Sequence, residues 1–67
     1  MEYYYSVYYL DPNGKHQYYQ SVGVDCLTAL EHFKKVFKDG YETEEDPHVL
    51  GIRRESWTGK DRRNEQR

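Results

Sequence analysis

Residues 2–10 read Glu-Tyr-Tyr-Tyr-Ser-Val-Tyr-Tyr-Leu and contain five of the eight tyrosines of the chain. These residue types favour an extended strand over a helix. Successive side chains of a strand point to opposite faces of its sheet. One face therefore carries Tyr3, Tyr5, Val7 and Tyr9, and the other carries Tyr4, Ser6, Tyr8 and Leu10. A half-buried strand normally has one polar face. Because both faces are aromatic here, one can form the core while the other stays available for contact.

The length and composition are typical of one small domain. A chain of 67 residues buries only about 60% of its unfolded surface on folding, so its stability is marginal. Cys26 is the only cysteine, which excludes an internal disulfide. Together with three scattered histidines it does not have the paired spacing of a zinc site. We therefore expect no metal or cofactor, and expect tyrosine packing, with or without a homodimer, to stabilise the fold.

The charge pattern indicates a cytoplasmic protein. The net charge is −2 and charged residues make up 33% of the chain, without a basic bias. No apolar run approaches the roughly 20 residues that span a bilayer, and the first residues do not resemble a signal peptide. A lone cysteine is typical of a reducing compartment. We expect no contact with a membrane.

A hairpin is predicted after the first strand. Residues 11–14, Asp-Pro-Asn-Gly, combine a proline that presets φ with residues that tolerate positive φ, as a tight turn requires. A second strand is predicted to run from residue 15 or 16 to Val24. Val22 and Val24 are expected on the core side, which puts Tyr19 on the opposite face. Gly23 indicates a bulge or the close approach of another backbone.

A helix is predicted from Asp25, whose carboxylate can accept from the free amides of the first turn. Apolar residues then recur at helical spacing on one side: Cys26, Ala29, Leu30, Phe33, Val36 and Phe37. Gly40 is a typical stop. The position of Cys26 near the helix start could activate its thiol, but its place on the apolar side predicts a core residue.

A third strand is predicted over residues 48–56, with Leu50 and Ile52 toward the helix and Val49 and Arg53 on the outer face. The helix between the second and third strands favours a right-handed crossover. The first strand then lies in the centre of a three-stranded antiparallel sheet of order 2-1-3. The predicted fold is therefore α+β, with one helix packed on one face of the sheet.

This ββαβ domain is expected to cover residues 1–58. Residues 59–67 contain no apolar side chain, so we predict a disordered polar tail. No catalytic motif is visible. The serines lie in strands without a glycine-flanked nucleophile turn, residues 11–14 lack the later ligands of a calcium loop, and no glycine-rich loop could hold phosphate. We expect no enzymatic activity.

The outer face of the sheet is the main candidate for function, because large exposed aromatic patches mark interaction surfaces. It is predicted to carry Tyr4, Tyr8, Leu10, Tyr19 and Arg53. Four interpretations are open: plain packing, a homodimer seam, stacking on single-stranded nucleic acid, and a protein interface anchored by tyrosine and arginine. The negative net charge disfavours nucleic acid, so we favour a protein partner.

An acidic segment, residues 41–47, precedes the third strand. Its charged residues are Glu42, Glu44, Glu45 and Asp46. A charge run usually stays solvated, so a simple connector is one interpretation. An electrostatic contact to a basic partner is the other.

Several features resemble small host-takeover proteins of bacteriophages. They are the tyrosine-rich first strand, the Asp-Pro-Asn-Gly-Lys turn (residues 11–15), the Thr-Ala-Leu-Glu-His-Phe helix (residues 28–33) and the Ile-Arg-Arg sequence (residues 52–54). One similar family is the podophage inhibitor of bacterial RNA polymerase. Another is the small phage inhibitor of uracil-DNA glycosylase, a dimeric DNA mimic, whose aromatic helix corresponds loosely to Phe33 and Phe37.

The resemblance implies a non-enzymatic phage-type protein of the host cytoplasm. It would bind and inhibit a host nucleic-acid-processing protein, such as RNA polymerase, a DNA-repair glycosylase or a defence nuclease, by steric occlusion. The predicted partner contacts are Tyr4, Tyr8, Tyr19, Arg53, Arg54, Glu42, Glu44, Glu45 and Asp46. The alternative is a single-stranded nucleic-acid-binding module that uses the same tyrosine-rich face.

Overall fold

The computed structural model describes residues 1–59, which form three strands and one helix. Their bounds are Tyr3–Leu10 (β1), His16–Gly23 (β2), Cys26–Gly40 (α1) and His48–Trp57 (β3). The sheet is antiparallel with the order β2-β1-β3. The predicted α+β class, the ββαβ order and the central place of the tyrosine-rich strand are confirmed. Apart from Gly59, the predicted tail lies outside the described residues.

The turn between β1 and β2 is held by its own backbone. The amide of Gly14 donates to the carbonyl of Asp11 at 2.9 Å, and the amide of Asp11 donates to the carbonyl of Lys15 at 2.9 Å. Gly14 has a φ of 81°, a left-handed conformation that glycine adopts without steric cost. The amide of Lys15 also donates to the carboxylate of Asp11, which lowers the pKa of Asp11. The closed turn pairs Leu10 with His16.

Helix α1 begins with the predicted cap. The carboxylate of Asp25 accepts from the amide of Thr28 at 2.8 Å and from its hydroxyl at 2.7 Å. These bonds lower the pKa of Asp25. Cys26 is exposed, so the prediction that it belongs to the core is wrong. The helix reaches the sheet one turn later, at the buried Ala29. None of the described residues belongs to a helix long and apolar enough to cross a bilayer.

The core lies between α1 and one face of the sheet. Phe33 is 1% exposed, and its ring centroid lies 4.8 Å from that of Tyr9 and 5.7 Å from that of Tyr19. Val7 is fully buried in the same cluster. The cluster is completed by Phe37, Leu30, Val49 and Ile52. The aromatic side of α1 therefore covers the odd-numbered face of β1.

Small residues let α1 approach β2 closely. The hydroxyl of Ser21 donates to the carbonyl of Ala29 at 2.7 Å, and Ser21 is fully buried. A Cβ atom on Gly23 would lie only 2.6 Å from the backbone nitrogen of Ala29. The close approach predicted at Gly23 is thus confirmed.

The side chains of β2 point opposite to the prediction. Tyr19 pairs with Val7 and lies on the helix-covered face, so its predicted place on the outer face is wrong. Val22 pairs with Tyr4 on the outer face, and Val24 lies beyond the strand and is 58% exposed. The closed turn sets a register in which odd-numbered residues of β2 pair with odd-numbered residues of β1. These residues therefore share the helix-covered side of the sheet. The apolar character of the two valines does not override that register.

A bulge in β3 exchanges the predicted places of Val49 and Leu50. The pairing with β1 shifts between Tyr8 and Tyr9, which leaves Leu50 as the extra residue. Val49 packs against the core, while Leu50 is 48% exposed. Strict alternation failed here because a bulge moves the pattern by one residue. Ile52 packs against the core, as predicted.

Candidate functional site

The face of the sheet opposite α1, called the open face below, is not covered by any element within residues 1–59. The even-numbered side chains of β1 form its centre, and their cross-strand neighbours lie beside them. The open face comprises Tyr4, Ser6, Tyr8, Leu10, His16, Tyr18, Gln20, Val22, Leu50 and Arg53. Tyr4, Tyr8, Leu10 and Arg53 lie where the sequence placed them.

The most exposed part of the open face is aromatic and aliphatic. Tyr8 and Tyr18 are cross-strand neighbours whose ring centroids are 6.2 Å apart. Tyr8 is 42% exposed, Tyr18 is 68% exposed and Leu50 is 48% exposed. With His16 and Gln17 they line a shallow groove of about 250 Å³. This groove presents apolar contact area to anything that approaches the open face.

The side-chain pattern of β2 alone predicts Tyr19, and not Tyr18, on the open face. The position of the β1–β2 turn contains the information that assigns Tyr18 to it. Once Leu10 is paired with His16 across the closed turn, counting outward pairs Tyr8 with Tyr18. Cross-strand pairs share a face, so the count alone assigns Tyr18 to the open face.

A charged pair borders the aromatic part. The Nε and Nη2 atoms of Arg53 donate to the two carboxylate oxygens of Glu55, the second at 3.1 Å. This bidentate contact raises the pKa of Arg53 and lowers the pKa of Glu55. Arg53 also lies opposite Ser6, which is only 7% exposed. An approaching partner would therefore meet an ion pair at this end rather than an isolated guanidinium.

Arg54 does not join Arg53 on the open face. It lies opposite Tyr5, whose side chain is on the covered face. Its guanidinium carbon stacks over the ring of Tyr3, 4.8 Å from the centroid. A cation over an aromatic face gains electrostatic attraction. Arg53 and Arg54, which were predicted to contact the same partner, thus lie on opposite faces of the sheet.

The acidic segment is tied to the helix at its end. The ammonium group of Lys38 lies 2.9 Å from a carboxylate oxygen of Asp46. The hydrogen bond from Lys38 lowers the pKa of Asp46, and the charge of Lys34 adds to the effect. The side chains of the other three acidic residues are exposed: Glu42, Glu44 and Glu45. They remain available for a basic partner.

A second cleft, of about 250 Å³, lies between the acidic segment and the β1–β2 turn. Its rim includes Asp11, Glu45 and Asp46, and its wall includes the ring of Tyr41. Leu10, which belongs to the open face, also lines this cleft. The acidic segment therefore lies next to the aromatic part of the open face.

The wall of this cleft is anchored in the core. The ring centroids of Tyr41 and Phe37 are 4.8 Å apart, and the ring of Phe37 in turn packs edge-on against that of Tyr9 at 5.8 Å. Burial raises the pKa of Tyr9 to about 12, and the neighbouring Tyr41 and the charge of Asp11 add to this effect. Tyr41, the first residue of the acidic segment, is thus joined to the core through Phe37.

No group of three or more His, Cys, Asp or Glu side chains within residues 1–59 could hold a metal ion. Ser21, the fully buried serine, is engaged with a helix carbonyl.

Comparisons of the chain with protein-family models, with curated proteins and with solved structures found no match.

Proposed function

We propose that this chain is a non-enzymatic binding protein whose open face contacts a host nucleic-acid-processing protein and blocks it by steric occlusion. The exposure of Tyr8, Tyr18 and Leu50 side by side supports the proposal most directly. Contiguous exposed apolar surface on a small domain marks an interaction site. Tyrosine supplies large, rigid contact area and is enriched among residues that dominate binding energy.

The surroundings of this patch match the usual anatomy of an interface. Protein interfaces combine an apolar centre with a polar rim. Here Tyr8 and Tyr18 lie at the centre, the Arg53–Glu55 pair lies on the β3 side beside Ser6, and the acidic segment lies beyond Leu10. A partner that fits would offer an apolar pocket flanked by basic side chains. Tyr18 takes the contact role that the sequence assigned to Tyr19.

The class of partner comes from the resemblance to phage host-takeover proteins. RNA polymerase, DNA-repair glycosylases and defence nucleases bind nucleic acid and therefore carry basic surfaces. The exposed carboxylates of Glu44 and Glu45 are complementary to such a surface. Complementary charge raises the rate of association and excludes wrong partners. The site of action in this proposal is the host cytoplasm.

An affinity capture from nuclease-treated bacterial lysate, read by mass spectrometry, tests this proposal. The test variant is Tyr8→Ala/Arg53→Ala, which removes one aromatic and one cationic side chain from the open face. The control is Leu27→Ala/Lys35→Ala, which removes one exposed apolar and one exposed cationic side chain from α1. Circular dichroism must show that both variants keep the wild-type fold.

We expect the wild type and the control to enrich one host protein that the test variant loses. Binding that survives Tyr8→Ala/Arg53→Ala would overturn the assignment of the open face. A partner lost equally from both variants would do the same, because the loss would then not depend on the face.

The alternative function is the binding of single-stranded nucleic acid, and the Tyr8–Tyr18 pair favours it. Adjacent exposed aromatic rings on a sheet can stack successive bases. Such binding should weaken by orders of magnitude between about 50 and 200 mM salt. Removing residues 59–67, which carry Lys60, Arg62, Arg63 and Arg67, should weaken it further. Fluorescence anisotropy with a labelled single-stranded oligonucleotide measures both effects. A flat salt response would exclude this alternative.

A further inference from the structure

The two edges of the sheet differ in their protection against strand pairing. The pairing of β3 with β1 is interrupted by two register shifts, and β3 carries Arg53, Arg54 and Glu55. Bulges and charged side chains keep edge strands from pairing with other chains. In contrast, β2 pairs with β1 over eight residues without a shift, and its sequence is His-Gln-Tyr-Tyr-Gln-Ser-Val-Gly. It contains no Lys, Arg, Asp, Glu or Pro.

The outer edge of β2 is also unpaired within residues 1–59. The bond from the Asp11 amide to the Lys15 carbonyl makes these two residues a hydrogen-bonded pair. Hydrogen-bonded and non-hydrogen-bonded pairs alternate along an antiparallel ladder. Every second residue of β2 therefore directs its backbone groups away from β1: His16, Tyr18, Gln20 and Val22. Their side chains all lie on the open face.

We propose that β2 pairs antiparallel with β2 of a second copy of this chain, which joins two three-stranded sheets into one continuous sheet. The occupant is a second copy because an uncharged strand meets its own copy without like-charge repulsion. Antiparallel pairing about a two-fold axis also lets the same residues serve both copies. This inference concerns the edge of the sheet and does not rest on the proposed function.

The register with the most hydrogen-bonded pairs places the two-fold axis at Tyr19. Tyr18 then lies opposite the partner's Gln20, and His16 lies opposite the partner's Val22. Each of these two pairs occurs twice by symmetry, and each hydrogen-bonded pair exchanges two main-chain bonds. About eight main-chain hydrogen bonds therefore form between the two β2 strands. Tyr18, which is 68% exposed in the single chain, gains a cross-strand neighbour on its free side. The rotation keeps both helices on the same side, so the open faces merge into one larger surface.

Sedimentation equilibrium of Gln20→Pro and Gln20→Ala tests this pairing. Proline removes the outward N–H of Gln20 and spares the bonds to β1, and edge strands tolerate proline at such positions. Alanine keeps the N–H and removes the same side chain. We expect the wild type and Gln20→Ala to dimerise alike. Gln20→Pro loses two seam bonds by symmetry, so its dimer should be about tenfold weaker or more.

Amide hydrogen exchange identifies the seam. In the wild-type dimer, the amides of Tyr18 and Gln20 should be protected in proportion to dimer content. The amides of Gln17 and Tyr19, which bond to β1, should be protected in every folded variant. A protein that stays monomeric at millimolar concentration would overturn the inference. So would a dimer in which Tyr18 and Gln20 exchange freely, or one that Gln20→Pro leaves unchanged.

Two further variants decide the question if Gln20→Pro does not fold. Tyr18→Lys/Gln20→Lys places like charges directly opposite each other across the seam, whereas Tyr18→Lys/Gln20→Glu places opposite charges there. We expect the first to be monomeric and the second to dimerise, with a difference that shrinks at high salt. Equal association of the two variants would overturn the pairing. Since these tests use the chain alone, their failure leaves the proposed partner contact untouched.

Discussion

On β1, Tyr9 is 8% exposed while its neighbour Tyr8 is 42% exposed. The two residues are of the same type and follow each other in the same strand. Tyr9 lies under α1, with its ring against those of Phe33 and Phe37 at 4.8 and 5.8 Å. Tyr8 has a ring neighbour in Tyr18 on the uncovered side. The apolar side of the helix, rather than the residue type, decides which tyrosines become core.

This difference has a functional consequence. At the centre of the covered face, Tyr5, Val7 and Tyr9 are all buried. The open face keeps its aromatic area because nothing within residues 1–59 packs on it. Changes on the covered face should therefore act on stability, and changes on the open face should act on binding.

The largest expected effect is that of Phe33→Ala. Removing a buried phenylalanine costs about 3–5 kcal/mol, which is comparable with the whole stability of a small domain, roughly 5 kcal/mol. Denaturant unfolding followed by circular dichroism should show a largely unfolded protein. Tyr8→Ala on the open face is the control and should cost about 1 kcal/mol or less. Similar losses in both variants would contradict the contrast between the faces.

Gly23→Ala should have the next largest effect. Its Cβ would lie 2.6 Å from the backbone nitrogen of Ala29, and this backbone cannot move without lifting α1 from β2. Overpacking of this kind costs about 1–3 kcal/mol. Gly51→Ala is the matched control, because a Cβ there has no neighbour within 4 Å. The control should be neutral or slightly stabilising, and a loss equal to that of Gly23→Ala would argue against the close approach.

Tyr9→Phe tests the hydroxyl of this buried tyrosine and its dependence on pH. Loss of this hydroxyl should cost about 1 kcal/mol or less at neutral pH. The folded-state pKa of Tyr9 is raised from 10.0 to about 12, so its contribution is complete below pH 10 and is lost as the pH rises toward 12.

Urea unfolding of the wild type between pH 10 and pH 12 should therefore show falling stability, and Tyr9→Phe should flatten this fall. Tyr8→Phe, which changes the same group on the open face, should fall as the wild type does. An unchanged alkaline slope in Tyr9→Phe would show that its hydroxyl does not carry the effect.

The smallest expected effect is that of removing the N-terminal cap of α1, the helix that covers one face of the sheet. Asp25→Ala removes the acceptor for the first turn and should lower the midpoint of thermal unfolding by roughly 5 °C at neutral pH. The pKa of Asp25 is lowered from its usual 3.8, so its contribution is present above pH 3.8 and is lost as the pH falls below that value.

Asp25→Asn is the matched control, because asparagine caps a helix but does not titrate. Thermal unfolding at neutral pH should therefore be nearly unchanged in Asp25→Asn. Its acid limb should be shallower than that of the wild type. An acid limb identical in all three proteins would remove Asp25 as a source of the pH dependence.

Much of the fold could be predicted because its signals are local. The turn at residues 11–14, the Asp25 cap and the apolar spacing of α1 each depend on a few neighbouring residues. The candidate site was predicted in part: Tyr4, Tyr8 and Arg53 lie on the open face. The partner contacts of these residues and of the acidic segment stay predictions.

The rest could not be derived from local pattern, because it depends on which residues meet across strands. The bulge at Leu50 exchanges the predicted places of Val49 and Leu50 and cannot be inferred from alternation. Arg54 finds its place on the ring of Tyr3, in a strand far away in sequence. Tyr19 and Tyr18 exchange roles because the turn, and not the hydrophobicity of the strand, sets the register.

By itself, the sequence determined the elements, their order and the aromatic character of both faces of β1, because propensity, capping and side-chain periodicity act over a few residues. Only the tertiary structure decided which tyrosines are buried, how β3 is bulged and which edge of the sheet is unprotected. These features follow from strand register and from the position of α1, and both are set by contacts between residues distant in the chain.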